Sequence, residues 1–233
     1  MFNLIVPPCN FTKFEDSTPG FEGAEGWWSD DLIPGKRVLY FMGTWWDNTH
    51  SAPFKGKGDF LADILIFPLR TPWNLKYRIH GGFQVWALNG WDATVEIRKT
   101  DKPLVIIGHS LGANIAAQVA LRHKQTFPNS SVEVQLFSMP TCFANYFFKK
   151  DFQKTLPLTR NHTVGFDVPK LLWLFSLPLF LLGNPVKNVH YTYKHIWKNS
   201  WKHPIKRIGE FVNFIGQDHQ PATIIEYVDN PLF

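Results

Sequence analysis

The sequence predicts an α/β protein built on a largely parallel sheet flanked by helices. Three observations carry that expectation. Short continuous apolar runs alternate along the chain with longer segments of helical spacing. One such run, Pro103-Leu104-Val105-Ile106-Ile107, leads through a glycine-containing turn into a helix rich in small residues. The 233 residues are 45% hydrophobic and 18% charged, which suits one large buried core and excludes a chain disordered by charge.

Taken in order, residues 1–35 hold many Pro, Gly and acidic residues with turn signals such as TPG and SDD. They read as an N-terminal extension with little regular structure, followed by one domain over 36–233. Residues 37–42 (RVLYFM) form an apolar run ending at Gly43, as a buried strand does. Residues 58–67 place Phe60, Leu61, Ile64 and Leu65 on one helical face. Residues 82–99 read as a helix weakened by Gly90, 103–107 as a strand, and 111–127 as a helix that ends before Pro128. Residues 132–137 (VEVQLF) alternate as a strand, and 161–166 form a shorter one. No internal repeat is present.

Composition narrows the function. Lys plus Arg number 24 against 19 Asp plus Glu, a formal charge of +5 that falls short of a nucleic-acid footprint. Ten Trp and 21 Phe imply extensive apolar contact surface. Cys9 and Cys142 read as free thiols, and no Cys/His spacing suits zinc. The opening MFNLIVPPCN is broken by Pro7 and Pro8 and does not read as a secretory signal. The longest apolar stretch, 171–182, contains Pro178 and is shorter than the about 20 residues a spanning helix needs. The expectation is a cytoplasmic protein, or one released without a conventional signal.

The chemistry centres on Gly108-His109-Ser110-Leu111-Gly112-Ala113, placed directly after the 103–107 strand and before a helix. This is the GxSxG elbow in its required context. A tight strand-to-helix turn holds the serine in a strained conformation that lifts Oγ off the sheet edge. Side chains at Gly108 or Gly112 would collide with neighbouring backbone. The Leu111 N–H, at the helix N-terminus, is one oxyanion donor. His109 beside the nucleophile reads as elbow packing.

GHSLGA resembles the elbow of the class 3 lipases, the fungal-type triacylglycerol lipases of the α/β-hydrolase fold. The resemblance runs from about residue 37 to the C-terminus. Tyr40-Phe41-Met42-Gly43-Thr44 is similar to the family's F-R-G-[ST] oxyanion loop, with Met42 in place of the arginine. The segment holding Asp59 and Asp63, and Ile79-His80-Gly81-Gly82-Phe83 beside V-H-x-G-F, follow in the family's order. So do Phe137-Ser138-Met139-Pro140 beside F-G-x-P, and the segment from Thr159 through Asp167-Val168-Pro169 beside R-x-x…D-x-V-P. Ser138 stands where the family usually has glycine, and Asp167 has one residue fewer before Pro169. The resemblance implies a mostly parallel central sheet with helices on both faces and a Ser–Asp–His triad that needs no metal or organic cofactor.

Chain order in that fold is Ser, then Asp, then His. Asp167 follows the 161–166 strand, where the acid belongs, with Asp151 as an alternative close behind the 132–137 strand. His219, on the polar turn Gly216-Gln217-Asp218-His219, is the preferred base and resembles the family's D-H-x-x-Y histidine. His195 and His203 are rivals; His195 resembles a structural segment, and His80 reads as a structural contact near the oxyanion loop. Thr44 supplies the second oxyanion donor. Between 171 and 207, apolar residues give way to Lys187, Lys194, Lys198, Lys202, Lys206 and Arg207 interleaved with Tyr191, Tyr193, Trp197 and Trp201. This stretch is either a solvated face or a peripheral contact with an anionic lipid surface. The expected function is a serine hydrolase of carboxylic esters, most naturally lipid esters. The alternatives are an acyltransferase, thioesterase or peptidase on the same fold, or a non-catalytic lipid-binding module.

Overall fold

A computed structural model describes residues 12–15, 24–43, 67–140, 144–164 and 185–191. Seven strands form the central sheet: β1 (Thr12–Glu15), β2 (Glu25–Ser29), β3 (Arg37–Phe41), β6 (Leu104–His109), β7 (Val132–Phe137), β8 (Arg160–Val164) and β9 (Lys187–Tyr191), in that spatial order. From β3 to β9 every neighbouring pair is parallel, whereas β2 runs antiparallel to both β1 and β3. β4 (Pro68–Thr71) and β5 (Asn74–His80) make a separate hairpin. The helices are α1 (Gly81–Ala93), α2 (Val95–Arg98), α3 (Leu111–Thr126) and α4 (Tyr146–Thr155).

The central strands sit where continuous apolar sequence requires burial on both faces. Every residue of β6 is buried. Register lines up Leu39, Ile106 and Val134 across β3, β6 and β7. That row belongs to the large core shared with Phe83 and Trp86 of α1, Ile115 and Val119 of α3, and Phe148 and Phe152 of α4. Val38, Val105, Ile107 and Phe137 form a smaller buried set with Leu32 and Ile33. All the parallel strands end on one edge: Phe41 pairs with Gly108, His109 with Phe137, and Phe137 with His162. Residues following those pairs are thereby gathered together, which is why open parallel sheets carry their sites at the strands' carboxyl ends.

Residues 1–35 were expected to have little regular structure, and that expectation is corrected: β1 and β2 lie within them and extend the sheet. Phe14 of β1 reaches the core and packs edge-to-face on Phe41 at 5.4 Å. The expected helix over 82–99 breaks at Thr94, whose hydroxyl donates to the Gly90 carbonyl (2.5 Å) and starts a separate turn, α2. Residues 58–66 of the first expected helix, and Cys9 and Cys142, lie outside the described residues. Among the described residues, no helix is long and apolar enough to cross a membrane.

β2 is tied to β3 by charge as well as by its ladder. The Arg37 guanidinium donates through Nε and Nη2 to both oxygens of Asp30 (2.7 and 2.6 Å), and Lys102 lies 3.1 Å from the same carboxylate. Arg37 also covers Trp28 at 4.8 Å. The paired guanidinium holds the Asp30 carboxyl at about 2 rather than the usual 3.8. A depressed carboxylate stabilises the fold above its unfolded-state value, and that contribution disappears as pH falls through its folded-state value. Asp30→Asn is expected to cost about 1–2 kcal/mol in urea unfolding at pH 7, allowing for solvent screening. Variant and wild type should converge between pH 4 and pH 2. A gap that persists unchanged through that window would show that the ion pair is not its source.

Candidate active site

β6 delivers the chain to a turn that an L-residue rarely adopts. Ser110 has φ 54° and ψ −122° and stands at the N-cap of α3. Of the non-glycine residues described, Ser110 and Ser138 alone have positive φ. Such a backbone costs of order 1–3 kcal/mol and persists where its surroundings hold it. Here the Ser110 N–H donates to the Phe137 carbonyl (2.9 Å), and the Ser110 carbonyl accepts the Ala113 N–H (3.0 Å). A Cβ on Gly108 would run into the Gly112 carbonyl, Cα of Ala113 and Cβ of Ala116. One on Gly112 would strike the Phe41 and Met42 carbonyls at the end of β3. The two glycines therefore let α3 lie against β6 and let β3 close on the elbow.

Leu111 opens α3, and the first amides of a helix have no intrahelical acceptor. Its N–H is thereby positioned at a helix N-terminus, where partial positive charge favours a developing oxyanion. Gly43 ends the described stretch that follows β3. A Cβ built on it would come within 2.9 Å of the Ser110 Cβ and 2.8 Å of the His109 Nδ1. The residue before Thr44 thus abuts Ser110, and His109 beside it is buried. Ser110 itself is 6% exposed.

The strand beside the elbow ends in a second left-handed serine, Ser138 at φ 49°. Its N–H donates to the His162 carbonyl of β8 (2.8 Å). The next residue is gripped by a side chain: Oδ1 of Asn161 accepts the Met139 N–H (2.9 Å), and Nδ2 of Asn161 donates to the Met139 carbonyl (3.2 Å). Sequence reading marked Ser138 as a departure and passed over Asn161, because a side chain that clamps backbone 22 positions away leaves no local pattern. His162 stacks on Phe137 at 5.4 Å, and burial, followed by Arg160, keeps its ring below the usual histidine range.

Thr44, Asp167 and His219 lie outside the described residues, as do His195, His203 and all of 171–207 except 185–191. Two rivals are described. Asp151 lies on α4 and accepts the Tyr77 hydroxyl hydrogen bond (2.6 Å), while Gln125 donates to the same hydroxyl (2.7 Å). Tyr77 is fully buried against Trp73 and Phe148, so Asp151 serves the packing of α4 on β5. His80 is buried and stacks on Phe83 with ring centres 3.9 Å apart, as a structural contact would. Among the described residues no group of three or more His, Cys, Asp or Glu could hold a metal.

A parallel sheet whose central strand passes through a left-handed serine into a helix is the α/β-hydrolase fold. Solved structures agree. A Yarrowia lipolytica LIP2 lipase superposes with a TM-score of 0.57 at 16% identity, over 78% of this chain and 66% of that one. A triacylglycerol lipase from Penicillium expansum gives 0.55 at 16%, over 72% and 65%. Lipase II from Rhizopus niveus gives 0.55 at 16%, over 77% and 64%. The chain therefore spans about two thirds of the length of these lipases. No curated protein sequence matches it. Residues 56–170 match the sequence model of the lipase (class 3) family. The matched span includes the elbow and Asp167 but neither Thr44 nor His219.

Proposed function

We propose that the chain is a serine hydrolase of carboxylic esters, acting on lipid esters through Ser110, Asp167 and His219. The observation that carries this reading is the backbone of Ser110, an expensive conformation held between two obligatory glycines at the mouth of a helix. The match of residues 56–170 to the lipase (class 3) family model and the lipase structures that share the fold support the ester chemistry.

In the proposed reaction His219 removes the Ser110 proton as Oγ attacks the acyl carbonyl. Asp167 fixes the imidazole tautomer and stabilises its charged form. The amides of Thr44 and Leu111 receive the oxyanion; losing one such donor typically costs about 2.7–4 kcal/mol of transition-state stabilisation. The imidazolium then protonates the departing alcohol, and water activated by the same histidine hydrolyses the acyl-enzyme. The lipid substrate and a peripheral contact through 171–207 belong to the same proposal.

The test pairs a fluorophosphonate probe with p-nitrophenyl esters of several chain lengths, a thioester and a peptide. Labelling of wild type together with preferred ester turnover is expected. Unlabelled protein that still binds liposomes would instead indicate a lipid-binding module. His219→Ala should lower kcat by about 10⁴-fold with its melting temperature retained, whereas His195→Ala should act mainly on stability. Reversed effects would move the base to His195.

A further inference from the structure

The β4–β5 hairpin and α4 are joined into one outward surface. Asn145, the N-cap of α4, donates its backbone N–H to the Arg78 carbonyl and its Nδ2–H to the Lys76 carbonyl, each at 2.9 Å. Tyr77 packs on Phe148 at 5.3 Å, which leaves the alternate residues of β5 facing away from the core. Three large apolar side chains on this surface stay in solvent: Leu75 is 68% exposed, Tyr146 66% and Phe147 53%. Cations are set among them. Arg70 and Arg78 stand directly opposite each other across the hairpin, and Lys76 lies two residues along the same face. On α4, exposed Lys150 and Lys154 follow Phe147 at i+3 and i+7, with Lys149 beside them. Like charges directly opposite each other destabilise a hairpin, so the arginine pair is a cost to folding. Within the hairpin and α4 the one carboxylate is Asp151, already engaged by the Tyr77 hydroxyl.

We propose that this hairpin–helix surface docks the protein on an anionic lipid bilayer. The cations meet the headgroups, and Leu75, Tyr146 and Phe147 enter the boundary below them. Four of the six cations are Lys, a residue that protein–protein interfaces avoid. The surface is also remote from the elbow. Gln125, which donates to the Tyr77 hydroxyl, stands near the far end of α3 from Leu111, about 20 Å away by helical rise. Docking here is therefore an anchor that leaves the Ser110 edge uncovered. It goes beyond the hydrolase reading and does not depend on it.

The test uses the full chain with Ser110→Ala, so that no bound lipid is consumed, and vesicles of phosphatidylcholine with and without phosphatidylserine. Co-sedimentation with the phosphatidylserine vesicles is expected, weakening as salt rises. Arg70→Gln/Lys76→Gln/Arg78→Gln should weaken it about 100-fold. Leu75→Ser/Phe147→Ser should weaken it about tenfold with the melting temperature unchanged. Lys36→Gln/Lys99→Gln/Lys102→Gln removes the same charge elsewhere and should weaken it less than about threefold. Equal losses from the two charge sets would overturn the proposal, because net charge alone would then govern binding. So would a chain that does not bind these vesicles, or binding that the hairpin variants leave unmoved. A fall in the melting temperature of the Leu75/Phe147 variant would show the patch packed against the rest of the chain, and a dimer in sedimentation that this variant dissolves would give the surface to a second copy; either result overturns it. With Ser110 intact, the surface variants should turn over a soluble p-nitrophenyl ester as wild type does. Failure of the hydrolase reading is separately visible, as wild-type protein that neither labels with fluorophosphonate nor turns over ester while vesicle binding still reports on this surface.

Discussion

Ser110→Ala is expected to lower ester hydrolysis by about 10⁴-fold or more and to abolish fluorophosphonate labelling, with the fold intact. Loss of a triad nucleophile removes the covalent route and leaves only binding and oxyanion stabilisation. Alanine keeps the Cβ, so it occupies the same positive-φ backbone at the same cost, and the unfolding free energy should stay within about 1 kcal/mol of wild type. Ser110→Gly separates strain from chemistry. It should be equally inactive but more stable than Ser110→Ala by about 1 kcal/mol, because glycine reaches φ 54° without a Cβ penalty. Activity assays and urea titrations of the three proteins decide the matter. Retained turnover in either variant would remove Ser110 from the reaction, and a glycine variant no more stable than the alanine one would remove the strain.

The elbow was legible because its chemistry is local. A continuous buried strand, two glycines around a serine and a small-residue helix occupy successive positions, and each is needed for the turn to be that tight. The central strands were legible for a similar reason, since burial on both faces leaves an unbroken apolar run. The edges were less so. β2 contains Gly26 and follows a turn-rich stretch, so its pairing to β3 had no strong local sign. The hairpin strand β5 opens on exposed Leu75 and Lys76 and only then alternates as buried Tyr77, exposed Arg78 and buried Ile79, and α4 buries only Phe148 and Phe152. The Asn161 clamp and the left-handed turn of Ser138 are products of tertiary contact, invisible to periodicity. Thr44, Asp167 and His219 were reached by motif order and resemblance, and for them mutagenesis is the direct route.

Gly112→Ala carries the second large expectation, a loss of about 3 kcal/mol in stability together with most of the activity. The added methyl would meet no flexible side chain that could turn aside. It would meet the carbonyls of Phe41 and Met42, the backbone at the end of β3 that leads to the proposed oxyanion donor Thr44. Overpacking against rigid surroundings typically costs 1–3 kcal/mol, and backbone on both sides puts this site at the upper end. Relief requires α3 to move away from β3, and either shift changes the spacing between Ser110 and the loop through Gly43. The activity loss should therefore exceed the population unfolded: at a temperature where the variant remains folded by circular dichroism, kcat should still fall by about 100-fold, as for misplacement of a catalytic group by about 1 Å. Gly35→Ala provides the contrast. Gly35 has φ 75° and open space around its Cβ position, so its replacement should reduce stability through backbone strain alone and leave kcat untouched. If Gly112→Ala instead loses stability and retains wild-type kcat per folded molecule, the contact between β3 and α3 supports the fold without setting the geometry of the oxyanion site.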